Sequence, residues 1–298
     1  MIYDCVIVGG GIAGLQAAIQ LGRYRHHVAI IDSGNGRSSI CRSYHNLIGF
    51  PDGISGAELR LAGKRQAEQL GIEFFQAEVI QAEIVSDGFH LKTSNNESYH
   101  GKKLLIATGV KDRLPDLEML IPCMGTSVYV CPDCDGYEVR NQPTLVLGAG
   151  NAGAQMALTL THWTEELIYI NHELSPIEDE LIVKLAEKGI QYIDQAIHTV
   201  LTERDQFIGV ILADGSSIYR KRCFVAFGGN EVRSSIAKQL GVQVMENNHI
   251  VVDPRTKLTS VKDIWAAGDV TAHSEMMTIA MGDGSQAAIW IHKSLLST

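Results

Sequence analysis

The stretch Tyr3-Asp4-Cys5-Val6-Ile7-Val8-Gly9-Gly10-Gly11-Ile12-Ala13-Gly14-Leu15 decides the fold. Tyr3 to Val8 is a nearly continuous apolar run without helical spacing, which reads as a buried strand. Gly9, Gly11 and Gly14 carry the G-x-G-x-x-G spacing, and Leu15 to Tyr24 sets apolar residues at helical intervals. His27 to Ile31 is a second strand that ends at Asp32, about twenty positions beyond the glycines. Each element has a physical role. Gly9 permits a tight turn, Gly11 lets the backbone approach a pyrophosphate, and Gly14 lets the helix pack close to the strand. At Ile12 and Ala13 the helix start offers free N–H groups and the positive end of its dipole to phosphates. Asp32, with Ser33 beside it, can accept ribose hydroxyls.

The pattern occurs twice. Thr144 to Leu147 is a strand, Gly148-Ala149-Gly150-Asn151-Ala152-Gly153 repeats the fingerprint, and a helix to Trp163 leads to a strand from Leu167 to Ile170. The expected fold class is therefore α/β, with two Rossmann-like nucleotide-binding domains of three-layer ββα type. A strand from Lys103 to Ile106 ends in Ala107-Thr108-Gly109, where the chain leaves the first domain. Arg113-Leu114-Pro115 and Gly228-Gly229 read as crossovers, and Asp263 to Val270 is a strand ending in Gly268-Asp269 before a last helix from about Gly282 to Leu296. The second domain is thus inserted into the first: residues 1–112 and 233–298 make one, residues 113–232 the other. The loop Gly34 to Gly56 is long for a compact domain, and its length marks it as functional.

Composition narrows the classes. A net charge of −9 argues against nucleic-acid binding, which rests on neutralising phosphates, and against attraction to an anionic membrane. The uncharged run from Thr144 to Thr164 is long enough to suggest a membrane span, but its glycines, Asn151, Gln155 and His162 divide it into strand, turn and helix. Met1 to Val8 lacks a basic region and a cleavage site, so no signal peptide is read there. Six cysteines are too few for a disulfide scaffold, and the pattern fits a reducing compartment such as the cytoplasm. Only Cys131 and Cys134 form a close pair, in Val130-Cys131-Pro132-Asp133-Cys134-Asp135-Gly136. Such a pair can close a redox-active disulfide bond. Half a zinc site is the other reading, but Cys123 and His162 lack the spacing to complete four ligands, so no metal is expected. A thiolate, not a thiol, attacks a disulfide, and Pro132 suits a first helical turn whose N–H groups would favour one. Cys5 and Cys223 sit in apolar strand runs and read as inert packing.

With these features in place the chain resembles the low-molecular-weight thioredoxin reductase family along nearly its whole length. Gly9-x-Gly11-x-x-Gly14, Ala107-Thr108-Gly109, Cys131-x-x-Cys134-Asp135-Gly136 and Ala266-Ala267-Gly268-Asp269-Val270 match in order and spacing. The resemblance implies a homodimer with FAD in the first domain, contacted by Thr108, Gly109, Gly268 and Asp269 as well as the first glycine turn. It implies that Cys134 receives electrons from the flavin, that Cys131 attacks the substrate disulfide, and that Asp135 is the acid/base. His45-Asn46 resembles the family's Glu-Asn, making Asn46 a flavin contact or a turn cap. Thioredoxin or another small disulfide protein is the implied partner.

Two departures stand out. Where the family holds arginines for the 2′-phosphate of NADPH, this chain reads Asn171-His172-Glu173-Leu174-Ser175-Pro176-Ile177. No guanidinium is there, so the expected donor is not NADPH but ferredoxin or NADH, whose ribose diol Glu173 could hold. Glu275-Met276-Met277 replaces the family's Arg-Gln before the last helix. A dithiol oxidase using oxygen and a non-enzymatic flavin-binding redox sensor are the alternatives.

Overall fold

The structure, a computed structural model, describes residues 1–297. The chain starts with β1 (Tyr3–Val8), α1 (Ile12–Arg23) and β2 (Val28–Asp32). After α2 (Gly56–Glu68) and β3 (Glu73–Gln76) come β4 (Val79–Val85), β5 (Gly88–Thr93), β6 (Ser98–Ile106) and the short β7 (Val110–Lys111). Ser55 and Glu58 start α2 with a reciprocal capping box, a local signature worth about 1 kcal/mol. Next follow β8 (Val128–Tyr129), α3 (Pro132–Asp135), β9 (Thr144–Gly148), α4 (Gly150–Leu160), β10 (Leu167–Asn171), α5 (Asp179–Glu187) and β11 (Gln191–Ile193). An antiparallel trio, β12 (Ile197–Glu203), β13 (Gln206–Leu212) and β14 (Ser217–Tyr219), precedes β15 (Arg222–Ala226). The chain ends with β16 (Glu231–Val232), α6 (Ser235–Gln239), β17 (Ile264–Ala266) and α7 (Met277–Leu296).

By Cα proximity these elements form two compact units: residues 1–39, 55–111 and 231–298 make one, residues 40–54 and 112–230 the other. In the first unit the strand order is β3-β2-β1-β6-β5-β4, with β17 also paired to β6. The long β6 lies parallel to β1 along one edge and serves two partners along the other. Its first half runs antiparallel to β5, and its second half pairs parallel with β17 through Leu104, Leu105 and Ile106. Alternate residues of β1 feed opposite cores, which is why the run has no polar face. Val6 and Val8 join Phe89, Leu91, Ile236 and Leu240, whereas Cys5 and Ile7 join Ala17, Leu21, Ala287 and Ile291 of the helices.

The second unit repeats the arrangement with a parallel sheet of order β11-β10-β9-β15-β8. Leu145 and Leu147 of β9 face Val200, Phe207 and Val210, while Val146 faces Ala154, Ala157 and Leu160 of α4. The uncharged run beginning at Thr144 is therefore an interior strand and helix. Among the described residues no helix is long and apolar enough to cross a membrane. Segment Ile40–Ile54 groups with this unit: the Arg42 N–H donates to the Met124 carbonyl at 3.1 Å, and a side chain at Gly125 would collide with Cys41.

Some boundaries differ from the sequence expectation. The last helix starts at Met277 rather than near Gly282, because Gly284 is a packing glycine: a Cβ there would strike the Ala13 carbonyl. The two-residue strands β7 and β16 pair where the chain crosses between units, too short to show a period.

Candidate active site

In the first unit Gly9 takes φ +105°, and a Cβ on it would run into the Ala107 carbonyl. Gly14 is equally forced, lying against the Gly9 carbonyl. Gly11 differs. It caps α1 with ordinary φ −74° and no side-chain cap bond, and no atom lies within 4 Å of where its Cβ would be. The first turn of α1 carries no acid. An uncapped helix start opening on free space is a cradle for a pyrophosphate.

Around the cradle the chain gathers charged groups far apart in sequence. Asp32, at the end of β2, accepts a 2.7 Å bond from Arg60 Nη2, while Arg60 Nη1 is buried without a partner. Gly268, at φ +78°, sets the turn after β17 against α1, since a Cβ there would come within 2.8 Å of Ala13 Cβ. Asp269 pairs with Arg37 at 3.0 Å, and Arg37 also reaches Glu275 at 2.6 Å. Glu275 in turn meets His249 at 3.3 Å. The Gly268 N–H donates to buried Asp283 at 3.2 Å, and that carboxylate also holds Lys257 at 2.7 Å and His273. Burial works to raise the Asp283 carboxyl, but the hydrogen bonds from His273 and Lys257 outweigh it and hold it below the usual range. The same bond from Asp283 raises His273. The open turn at Gly11, the orphaned donor on Arg60 and the glycine start of α1 fit a dinucleotide such as FAD.

The remaining expected contacts divide. Ser33 follows Asp32, half-buried. Thr108 Oγ1 donates to the Arg233 carbonyl at 2.6 Å and the Gly109 carbonyl accepts from Arg233 N–H at 3.0 Å, so both tie down the crossover. Asn46 is exposed on segment Ile40–Ile54, which groups with the other unit.

The cysteine pair stands at the end of β8. Cys131 caps α3, Pro132 is its first residue, and the Asp135 N–H donates to the Cys131 carbonyl at 3.0 Å. Both cysteines are in the thiol form. Hydrogen bonding from the Cys134 thiol, against the effect of burial, pulls the Cys131 thiol below its ordinary value. Burial pushes Cys41 up to about 11 and raises Cys5, Cys123 and Cys223 as well. Cys131 is thus set apart from these other thiols in the direction of its shift, and the neighbouring cysteine is the largest cause of it. Burial and, less strongly, the charge of Glu138 push the Asp135 carboxyl up to about 7. Gly136 follows because a Cβ there would enter the Trp163 indole at 2.6 Å.

At the second glycine turn the backbone is occupied from within. The Gly150 N–H donates to Asn171 Oδ1 at 2.9 Å, and the Gly150 carbonyl accepts from the Tyr169 hydroxyl at 2.8 Å. Asn171 Nδ2 donates to the Ser175 carbonyl and to Asp194, both at 2.8 Å. Gly150 has φ +49°, and the Pro176 carbonyl lies 2.8 Å from where its Cβ would be. Asn151 and Glu178 exchange two bonds, at 2.7 and 2.9 Å. Glu173 pairs with Arg113 at 2.6 Å.

Sequence reasoning did not find Arg37, Arg60, Lys257, His273 or Asp283 as parts of the first site, nor Tyr169 beneath the second turn. Single charged residues in loops carry no periodic mark. Asp283 offered the one clue, an acid among the small residues of an apolar helix.

Comparison with known proteins fits this geometry. Residues 3–284 match the family model described as pyridine nucleotide-disulphide oxidoreductase, and the chain belongs to that family. It is a flavin-dependent disulfide reductase of the thioredoxin reductase type, with FAD as its cofactor. The thioredoxin reductase of Aquifex aeolicus is 27% identical over 308 residues, covering 99% of this chain and 94% of that one. A "34.2 kDa protein in rubredoxin operon" of Clostridium pasteurianum is 28% identical, covering 97% and 96%. The thioredoxin reductase structure from Streptococcus pyogenes superposes with a TM-score of 0.88 at 26% identity, covering 100% and 99%.

Proposed function

We propose that this protein passes electrons from a donor other than NADPH, through FAD and the Cys131–Cys134 pair, to the disulfide of a small protein such as thioredoxin. The observation that carries the reading is the adjacency of a thiol drawn below its ordinary value, Cys131, and a carboxyl raised to about 7, Asp135. In this reading Gly9, Gly11, Ile12, Ala13, Gly14, Asp32 and Ser33 hold the adenosine and pyrophosphate end of FAD. Asp269 and Gly268 lie toward its other end, Thr108 and Gly109 close the domain behind it, and Asn46 adds a contact or caps its own turn. Bound there, FAD supplies two-electron exchange between donor and dithiol. Cys134 is the thiol on the flavin side and Cys131 the one that meets substrate. Asp135 takes the Cys131 proton and returns it to the departing sulfur. The working state is a homodimer in a reducing compartment such as the cytoplasm.

The donor reading rests on the second glycine turn. Its Gly150 N–H is bonded to Asn171, the Pro176 carbonyl covers it, and Glu173 is paired with Arg113 rather than free for a ribose diol. A small iron–sulfur protein of ferredoxin type suits a site without a vacant nucleotide turn better than NADH does. That a relative is described by its rubredoxin operon supports an iron protein as donor. The same covered turn also suits a dithiol oxidase, in which electrons enter at the cysteines and leave to oxygen.

The test is anaerobic mixing of the oxidised protein with NADPH, NADH, reduced ferredoxin and dithiothreitol in separate runs. Flavin bleaching by reduced ferredoxin is expected. Bleaching by micromolar NADPH would overturn the donor reading, and peroxide formed in air from small dithiols would favour the oxidase. A purified protein without flavin would sink both.

A further inference from the structure

Asp32 does not stand alone at the end of β2. Its carboxylate lies against the first glycine turn: a Cβ on Gly10, the position the fingerprint leaves open, would come within 2.9 Å of Asp32 Cγ. Arg60, in the second turn of α2, donates from Nη2 to Asp32 Oδ2 at 2.7 Å. The face of α2 that carries Arg60 looks onto the start of α1. Gly63 lies three residues on, hence on the same face, and a Cβ there would stand 3.4 Å from Leu15 Cδ1. The next cation on α2, Lys64, is engaged elsewhere, 3.7 Å from Glu68 and over the Phe74 ring.

The Arg60–Asp32 pair is lopsided. A guanidinium and a carboxylate that meet squarely share two parallel bonds. Here Nη2 takes the carboxylate, while Nη1 is buried with no acceptor. The loop after β2 passes beside Nη1 as bare backbone, since a Cβ on Gly36 would stand 3.4 Å from it. A buried donor without an acceptor costs stability, and folded proteins keep few of them. Nη1 and Nη2 branch from one carbon, so an oxygen that reaches Nη1 also comes beside the Asp32 carboxylate. Arg60 can only donate and Asp32 only accept, whereas a hydroxyl does both at once. The pair has no net charge, which suits a neutral group better than a phosphate. A ribose diol is the neutral hydroxyl-bearing part of a dinucleotide that falls at this strand end.

We propose, on the reading of Asp32 as the acceptor for the adenosine ribose of FAD, that Arg60 is a second reader of that ribose. Arg60 Nη1 donates to a ribose hydroxyl oxygen, and the proton of that hydroxyl goes to Asp32. Asp32 by itself would mark the site for any hydroxyl within reach. With Arg60 beside it, a cofactor lacking that hydroxyl leaves a buried donor and an acceptor unpaired together, and Arg60 thereby determines specificity at the adenosine end.

The experiment uses the flavin-loaded full chain, with its FAD exchanged for analogues that lack the 2′- or the 3′-hydroxyl of the adenosine ribose. Release is followed by flavin fluorescence on dilution, beside a thermal unfolding curve for each variant. The wild type is expected to release one of the two analogues about tenfold faster than FAD. Arg60→Lys keeps a charge opposite Asp32 but not the planar fork. It is expected to unfold near the wild-type temperature, to release FAD about tenfold faster, and to release that analogue no faster than FAD. Arg60→Met is expected to lose the same preference. A merely structural Arg60 would speed release of FAD and analogue alike and leave their ratio as in the wild type. That unchanged ratio in both Arg60 variants, with the preference abolished in Asp32→Ala, would overturn the proposal alone. Equal release of FAD and both analogues by the wild type would overturn the ribose reading of Asp32 and the proposal with it.

Discussion

The two glycine turns share a spacing but not a state. At the first, Gly11 leaves free space, and the residue ending the second strand, Asp32, is held by Arg60. At the second, the corresponding residue Asn171 turns inward to accept the Gly150 N–H, and the Tyr169 hydroxyl donates to the Gly150 carbonyl. A nucleotide turn works by keeping backbone donors unsatisfied until a phosphate arrives. When side chains of the same unit satisfy them, the turn becomes ordinary packing. The difference teaches that G-x-G-x-x-G specifies a backbone path, whereas the residues one strand away decide whether that path still binds anything.

The sharpest way to break this comparison is to put a side chain on each turn. Gly11→Leu places its carbons where nothing stands, at a φ of −74° that any residue adopts. The variant is expected to fold with near-normal stability and to lose FAD almost entirely, measured as the flavin-to-protein absorbance ratio beside a thermal unfolding curve. Gly150→Leu should do the reverse. Its φ of +49° and the Pro176 carbonyl would lower stability by about 1–3 kcal/mol, with flavin content unchanged. Loss of flavin in the second variant and not the first would end the contrast.

A smaller effect is expected one strand away. Asp32→Ala should weaken FAD retention about tenfold by removing a charged hydrogen-bond acceptor, read from flavin fluorescence on dilution. Asn171→Ala should leave flavin alone and cost about 1–3 kcal/mol in urea unfolding, because buried partners at Gly150, Ser175 and Asp194 lose their bonds.

Much of this is legible in the amino-acid sequence alone. Strands β1 and β9 announce themselves as apolar runs because both faces of each sheet are covered, and the cysteine pair stands out by spacing. The state of the second turn is legible only in part. That residues 171–177 hold no arginine is visible, but that Asn171 bonds to Gly150 depends on β10 lying parallel beside β9. The cradle's charges are hidden for a related reason. Arg37 meets Asp269 across 232 positions, and a pair so distant leaves no mark in either neighbourhood. Gly284 obscured the start of α7, since a glycine required by close packing on α1 looks the same in sequence as one that ends a helix.

The finest contrast concerns how each turn is fastened. The second is fastened by Asn171, which has no proton to lose near neutrality. The first rests on Asp283, which holds the Gly268 N–H and is itself held by His273 and Lys257. Because the folded state raises His273, its contribution is complete below the ordinary histidine value, about 6.5, and fades as pH rises through the higher folded one. Because the folded state lowers Asp283, its contribution is complete above the ordinary carboxylate value, about 4, and fades as pH falls through the lower folded one. Both are fully present only between about pH 4 and 6.5. His273→Gln, which keeps a hydrogen-bond donor and loses the charge, should therefore trail the wild type in thermal stability most in that window, with the gap closing toward pH 9. The gap for Asn171→Ala should stay level over the same range. A level gap for His273→Gln would mean that the first turn is fastened by hydrogen-bond geometry alone, and the two turns would then differ in their openness but not in how they respond to protons.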